Sequence, residues 1–346
     1  MFQPPGVLAY APVAPYKNFV GTIKMETLFI AREAKLKRQD NTLFIHANGR
    51  KTPFPIEKLR HIVLLGEAAF NSRLLELCGQ HGVRVSVFDY YGYYRGSFEP
   101  SEQNPAGRVK LEQAALVLDD NKRIAVAREL VRGAAHNMRA LLAYYAYRKI
   151  AVLDTTLKDM DKLNGKIGKA ANSEQLMGIE GNLHQSYYAA WGKVDKRLDF
   201  VPRVRRPPNN PVNCLISFLN QMVYTVTRHE ACKTHLEESF AFLHSPGQGR
   251  SSLSLDLAEP FKPVLSHALI FKMIRKGMIN DNWFEQQEGI CLLSETGRRH
   301  VAEQFSIRLE EQYQGRSYRE WLYREALNIE RHLLGVAEYE AFKRKA

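Results

Sequence analysis

A chain of 346 residues with 45% hydrophobic side chains is long enough for two domains and apolar enough to bury a sizeable core, which excludes a disordered or fibrous protein. A formal charge of +12 and an isoelectric point near 9.4 call for an anionic partner, nucleic acid before membrane. There is no run of about 18 apolar residues, no basic-then-apolar leader in MFQPPGVLAYAPVAPYKNF, and no CxxC among Cys78, Cys214, Cys232 and Cys291. These absences set aside a membrane span, a secretion signal, a zinc site and a disulfide frame, and imply a reduced, intracellular (cytoplasmic) protein.

Residues 1–24, rich in Pro, Ala and aromatics, show no period and are expected to form an N-terminal extension, with Met25 a second candidate start. From Thr27 short β-rich runs follow: TLFI, AKLKRQ and TLFIHA as a hairpin meander turning at Asp40-Asn41, then KTPFPI, HIVLLG and VRVSVFD. Phe70, Leu74, Leu75, Leu77 and Cys78 predict a short helix within Ala68–Gly82. The expectation is a small β-rich domain over 25–98, then a linker over 99–110 marked by Pro and Gly.

From Leu111 to the end the pattern is helical, and an all-α domain over 111–346 is expected, giving an α+β chain overall. Two amphipathic segments fill 111–150, while TTLKDMDKLNGKIGKAANS (155–173) is polar and reads as a flexible approach. In LMGIEGNLHQSYYAAW, Leu176, Ile179, Leu183, Tyr187 and Ala190 make an apolar stripe with Glu180 inside it. A carboxylate placed there needs a cation, a donor or a metal to meet it. LDFVPRVRRPPNNPVN is a basic, proline-rich loop, and an apolar helix resumes over Asn213–Glu230. FLHSPGQGRSSLSLDLAEPFKP then offers His244, Asp256 and Glu259; one imidazole with two or three carboxylates suits a divalent ion. Glu180 with His184, one helical turn apart, is a rival pair that could bind metal or share a hydrogen bond. SPGQGRSS lacks the lysine of a phosphate-binding P-loop and reads as a flexible connection. No repeat or coiled-coil heptad occurs.

Taken together and in order, these blocks resemble the CRISPR-associated integrase-nuclease family of spacer acquisition, from about residue 25 onward. HIVLLGEAAFNSRLLELCGQHGVRVSVFDYYGYYRGSF is similar to the family's strand–helix–strand pattern, LMGIEGNLHQSYYAAW to its "EG…Y" helix, RRPPNNPVNCLISFLNQMVY to the loop and helix after it, and the 242–263 stretch to its histidine and acidic blocks. The resemblance implies that Glu180, His244 and Glu259 are catalytic metal ligands, with Asp256 close by, in or just behind the ligand set. It also implies Mg²⁺ or Mn²⁺ as cofactor. Many members carry Asp at the position of Glu259, and His184 falls on no ligand position, which leaves it a hydrogen-bonding or packing role. Pro260 disfavours helical geometry at Glu259 and should restart a helix there.

The implied reaction is attack of a 3′-hydroxyl of incoming DNA on a phosphodiester of the repeat, with hydrolysis when water replaces the hydroxyl. The implied partners are double-stranded or branched DNA, a second copy of the chain contacted through the β-rich domain, and a small partner subunit flanked by two such dimers; no membrane is involved. Arg203, Arg205, Arg206, Arg250, Arg298 and Arg299 are the candidate phosphate contacts, whereas Tyr187 and Tyr188 are expected to pack. Two other readings stand beside this one: a non-catalytic nucleic-acid-binding scaffold, and a small-molecule metalloenzyme that leaves the +12 charge without a role.

Overall fold

The structure, a computed structural model, describes residues 26–31, 33–47, 49–89, 94–100, 106–147, 153–200, 202–205, 207–244 and 252–345. The extension over 1–24, Arg206, Arg250 and most of the SPGQGRSS stretch lie outside the described residues. Eight strands and one helix come first: β1 (Glu26–Ile30), β2 (Ala34–Gln39), β3 (Thr42–Ala47), β4 (Arg50–Pro55), β5 (Leu59–Leu64), β6 (Ala68–Ala69), α1 (Ser72–Gln80), β7 (Arg84–Phe88) and β8 (Tyr94–Phe98). They form two four-stranded sheets, β4-β3-β2-β6 and β1-β5-β7-β8.

The expected meander is present only as β2-β3-β4, paired antiparallel and turning at Asp40 in the left-handed region (φ 52°). The first run, TLFI, leaves it: β1 pairs parallel to β5, and β5 parallel to β7, with α1 as the crossover between β5 and β7. Burial explains the choice, because β5 is inward on both faces (Leu59, His61, Ile62, Val63 and Leu64 all buried) and needs a neighbour along each edge. Leu36, Leu43, Ile45, Ile62, Leu74, Leu77 and Val85 belong to one core shared by both sheets and α1. This strand unit also gathers Asp281–Glu285 and Leu292–Ser306.

The second unit spans Asn104–Asn280, Gln286–Cys291 and Ile307–Ala346. The elements that follow β8 are α2 (Gly107–Leu118), α3 (Asp120–Ala146), α4 (Leu153–Ile167), α5 (Ser173–Ala189), α6 (Trp191–Val194), α7 (Pro211–Ala231), α8 (Ser252–Ala258), a π-helical turn (Pro263–His267), α9 (Ala268–Arg275), β9 (Phe284–Gln287), β10 (Ile290–Leu293), α10 (Glu295–Glu310), β11 (Gln312–Tyr313), β12 (Arg316–Ser317) and α11 (Tyr318–Leu333). Two expectations are corrected here. The polar approach over 155–173 is largely the helix α4, which buries Leu153, Thr156, Leu157, Met160 and Ile167 at helical spacing and exposes its charges on the other side. The C-terminal part is mostly helical but not all-α, since β11 and β12 pair as a ribbon turning through Gln314 and Gly315, both at positive φ.

α3 is the spine of this unit. Asp119 caps it by accepting from the backbone N–H groups of Asn121 and Lys122, and its inward residues run from Ile124 to Tyr145. α4 and α5 pack against it, and α7 packs against α8 and α11. α7 starts at Pro211 with Asn210 accepting from the N–H of Asn213, so the helix begins directly after the proline-rich loop. No helix among the described residues is long and apolar enough to cross a membrane.

Candidate metal centre

Asn172 caps α5 by accepting from the Gln175 N–H, and Leu176, Leu183, Tyr187 and Tyr188 fix the inward face of the helix. That face brings Glu180 and His184, one turn apart, to a half-buried spot: their side chains are 15% and 14% exposed. Behind them lies a floor of Tyr187, Tyr188, Trp191 and His267, all buried. His267 sits between the Tyr187 hydroxyl (3.2 Å) and the Tyr188 hydroxyl (3.5 Å), and burial pushes its pKa well down, so it is a neutral packing group. Tyr187 and Tyr188 pack, as expected from the sequence.

The second half of the site comes from α8 and the turn after it. Pro260 cannot continue the helix, so α8 ends at Ala258 and Glu259 lies in a turn, 3% exposed. This turn aims Glu259 at α5. His184 Nε2 lies 3.5 Å from Glu180 Oε1 and 3.8 Å from Glu259 Oε2, and these ligand-type atoms all fall within 4.8 Å of one another. Lys262 Nζ is 2.5 Å from the Glu259 carboxylate and 5.9 Å from the centre of the Tyr224 ring. Burial works to raise the pKa of Glu259, but the charge of Lys262, with His184 and His244 nearby, outweighs it and holds the group well below the usual carboxylate range. Glu259 is therefore a buried anion.

His244 and Asp256 form a separate, interlocked pair. Asp256, with no exposed surface, accepts from the N–H groups of Phe242 (2.6 Å), Leu243 (2.8 Å) and His244 (3.1 Å), and its Oδ1 takes the His244 Nδ1–H (2.7 Å). Four donors leave this carboxylate committed to the loop, so its role is to fix His244. A carboxylate only accepts, so Nδ1 carries the proton and neutral His244 presents its lone pair on Nε2, the arrangement of a metal-ligating imidazole. Burial lowers the His244 pKa, but the hydrogen bond to Asp256 and the charges of Asp256, Glu259 and Glu180 leave it raised.

The two histidines are built for different work. His184 Nδ1 is buried and has no hydrogen-bond partner among the described residues, while its Nε2 faces both carboxylates. The proton that this setting favours is on Nε2, donated toward Glu180 and Glu259. Burial pulls the His184 pKa down, and the facing Glu180 and Glu259 carboxylates more than offset it. Among the described residues, the group whose ligand atoms come together is Glu180, His184 and Glu259; the expected ligand His244 is not part of it, and the rival His184 is.

Of the candidate arginines, Arg205 is exposed and Arg299 half-buried. Arg203 is braced instead: it donates to the Val204 carbonyl, to Asn213 Oδ1 (3.0 Å) and to Ser217 Oγ (2.9 Å), tying the proline-rich loop to α7. Arg298 is 4% exposed and donates to the Leu293 carbonyl (3.0 Å), which places it inside the strand unit rather than on a phosphate-facing surface. Lys262 is absent from the residues that the sequence singles out. Its signal is the spacing in EPFK, a lysine one turn beyond a glutamate that the fold buries.

Residues 28–306 match the protein family described as CRISPR associated protein Cas1, a span that contains Glu180, His244, Asp256 and Glu259. The chain is 34% identical over 325 residues to the CRISPR-associated endonuclease Cas1 2 of Thermodesulfovibrio yellowstonii, covering 92% of this chain and 98% of that protein. Among solved structures it is similar to a Cas1 protein from Thermotoga maritima, with a TM-score of 0.82 and 29% identity over 93% of this chain and 100% of that one. A casposase bound to integration product gives a TM-score of 0.80 over 93% of each chain at 18% identity, a likeness of fold alone.

Proposed function

The chain belongs to the CRISPR associated protein Cas1 family, and from that premise we propose that it is a divalent-metal-dependent DNA endonuclease and integrase that inserts DNA fragments into a CRISPR array. The observation that carries this reading is the meeting of Glu180 and Glu259, far apart in sequence, with His184 at one small cluster in which Glu259 is buried and Glu180 half-buried. Burying two carboxylates together is costly unless cations meet them. Lys262 and His184 answer part of that demand, and a divalent ion would meet the rest, with His244 Nε2 as the imidazole ligand that the family resemblance implies.

Mg²⁺ or Mn²⁺, held by Glu180, Glu259 and His244, would polarise a phosphoryl oxygen and stabilise charge on the attacking or leaving oxygen. Lys262 keeps Glu259 ionised. His184 faces both carboxylates with Nε2 and offsets part of their charge. Asp256 fixes the ring of His244 so that Nε2 faces outward. The nucleophile is the 3′-hydroxyl of the incoming fragment, so the protein needs no serine or cysteine of its own, and water in the same place gives strand cleavage. Exposed cations, Arg205 among them, hold the phosphate backbone without reading its sequence. The reading also includes a homodimer through the strands of 25–98 and a small partner subunit, in an intracellular setting; a monomer in sedimentation at micromolar concentration removes the dimer.

The test is strand transfer into a branched DNA with Mn²⁺ or Mg²⁺. Glu180→Ala should lose joining and keep DNA binding. Joining by Glu180→Ala at the wild-type rate would replace this reading with the non-catalytic scaffold.

A further inference from the structure

The last described segment, Tyr339–Lys345, has no regular secondary structure, yet Tyr339, Ala341 and Phe342 are only 5%, 5% and 6% exposed. It is packed between α3 and the turn that carries Glu259. The Phe342 ring stacks on Phe261, two residues past Glu259, with centroids 4.6 Å apart and planes 14° off parallel. At its other side the Glu325 carboxylate on α11 accepts the Phe342 N–H (3.1 Å to each oxygen) and the Tyr339 hydroxyl (2.6 Å).

Asn137 on α3, 1% exposed, joins the three parts. Its Nδ2 donates to the Pro260 carbonyl (2.7 Å) and to the Phe342 carbonyl (3.0 Å), and its Oδ1 accepts the Arg344 N–H (2.7 Å). The Pro260 carbonyl needs this donor. In a regular helix Val264 N–H would reach it, but that group bonds to Phe261 O (3.1 Å) as the chain passes into its π-helical turn. One turn before Asn137, Gly133 leaves the room: a Cβ there would lie 2.8 Å from Ala341 Cβ, 3.2 Å from Phe342 O and 3.2 Å from Pro260 Cγ. Helix, C-terminal strap and Glu259 turn therefore meet at one point with no space to spare.

We propose that the strap Tyr339–Lys345 sets the position of Glu259, with Asn137 as the positioning residue, so that metal affinity depends on a segment that touches no ligand. The inference rests on the metal-centre reading above. The break lacks the backbone donors of Pro260 and Pro263, and the contacts that hold its Pro260 carbonyl and Phe261 ring come from α3 and the strap.

The experiment compares wild type with a truncation after Glu338 and with Phe342→Leu, by calorimetric titration of Mn²⁺ alongside thermal melting. Both variants should bind Mn²⁺ more weakly by about 10- to 100-fold, the usual range for groups that support a ligand from behind. A peptide of residues 336–346 added to the truncated protein should restore affinity. A lowered melting temperature with Mn²⁺ affinity unchanged would overturn the proposal and leave the strap a stabilising element only. If the truncated chain does not fold, Phe342→Leu decides by the same criterion. Absence of Mn²⁺ binding by the wild-type protein would overturn the metal-centre reading, and the strap inference with it.

Discussion

The helical unit buries two glutamates, Glu259 in the turn after α8 at 3% exposure and Glu325 on α11 at 2%, and their pKa values shift in opposite directions. Burial acts on both to raise the pKa. At Glu325 it wins: the partners are a hydroxyl and an amide, and the pKa rises to about 7. At Glu259 it loses, because Lys262, His184 and His244 surround the carboxylate with positive charge or donors. Inaccessibility alone therefore does not mark a functional carboxylate. Glu325 latches the strap in a setting that favours its neutral form, whereas Glu259 is held as an anion.

The sharpest way to break this comparison is to neutralise each group in turn. Glu259→Gln should bring strand transfer below detection and remove Mn²⁺ binding, with DNA affinity nearly unchanged or slightly tighter once a charge that repels phosphate is gone. It should also destabilise the fold, by about 3–5 kcal/mol at most, because Lys262 is left buried without its partner. Calorimetric Mn²⁺ titration and melting together check this. Wild-type Mn²⁺ affinity in Glu259→Gln would show that the anion is not a ligand.

Glu325→Gln should do nearly the reverse. The folded pKa of about 7 lies above the ordinary 4.5, so the fold favours the protonated form. The stability this contributes is fully present below about pH 4.5 and is lost as pH rises through about 7. The loss is on the order of 3 kcal/mol, from 1.36 kcal/mol per pKa unit. Gln keeps an acceptor for Tyr339 and Phe342 and has no proton to lose. Its melting temperature should therefore vary less than the wild type's between about pH 5 and pH 8 and exceed it at the upper end. Parallel curves for the two proteins would assign the latch no proton.

A smaller effect is expected at Asp256. Asn there keeps one acceptor for the N–H groups of Phe242 and Leu243, but its amide nitrogen faces His244 Nδ1 and would donate to it. The ring proton would then move to Nε2, where the lone pair is needed. Mn²⁺ affinity should fall about 10- to 100-fold with Glu180 and Glu259 intact. Unchanged affinity would take His244 out of the ligand set.

What the sequence made legible follows from which forces are local. Glu180 stood out because an apolar stripe at helical spacing is a one-helix property, and Leu176, Leu183 and Tyr187 are indeed buried around it. His244, Asp256 and Glu259 came from the order of the blocks, and the division between strands and helices from periodicity. The departure of β1 from the meander to pair with β5 was not legible, because strand partners are chosen by burial at a distance. α4 was hidden by its many polar residues, although Leu153, Leu157, Met160 and Ile167 carry the helical period. Lys262 and the strap were invisible for a related reason: a lysine three residues after a glutamate, or a phenylalanine near the chain end, acquires meaning only when the fold removes it from water.

The arginines give the smallest and most discriminating prediction. Arg203, Arg205 and Arg206 look alike in the sequence, and removing a cation that sits on a phosphate should flatten the slope of log affinity against log salt by about 0.9. The fold separates two of them. Arg205 is exposed, so Arg205→Ala should cost one such increment and leave the melting temperature almost unmoved. Arg203 is engaged by Asn213 and Ser217, and burial lowers its pKa. Arg203→Ala should therefore cost stability, on the order of 1–3 kcal/mol for partners left unpaired, and change the salt slope little. Binding measured for each variant on one DNA at several salt concentrations, with a melting curve beside it, resolves the two. If Arg203→Ala flattened the slope as much as Arg205→Ala and melted like the wild type, its bonds to α7 would not be a brace. It would then count as a phosphate-binding residue, and the proline-rich loop would become a DNA-binding element in its own right.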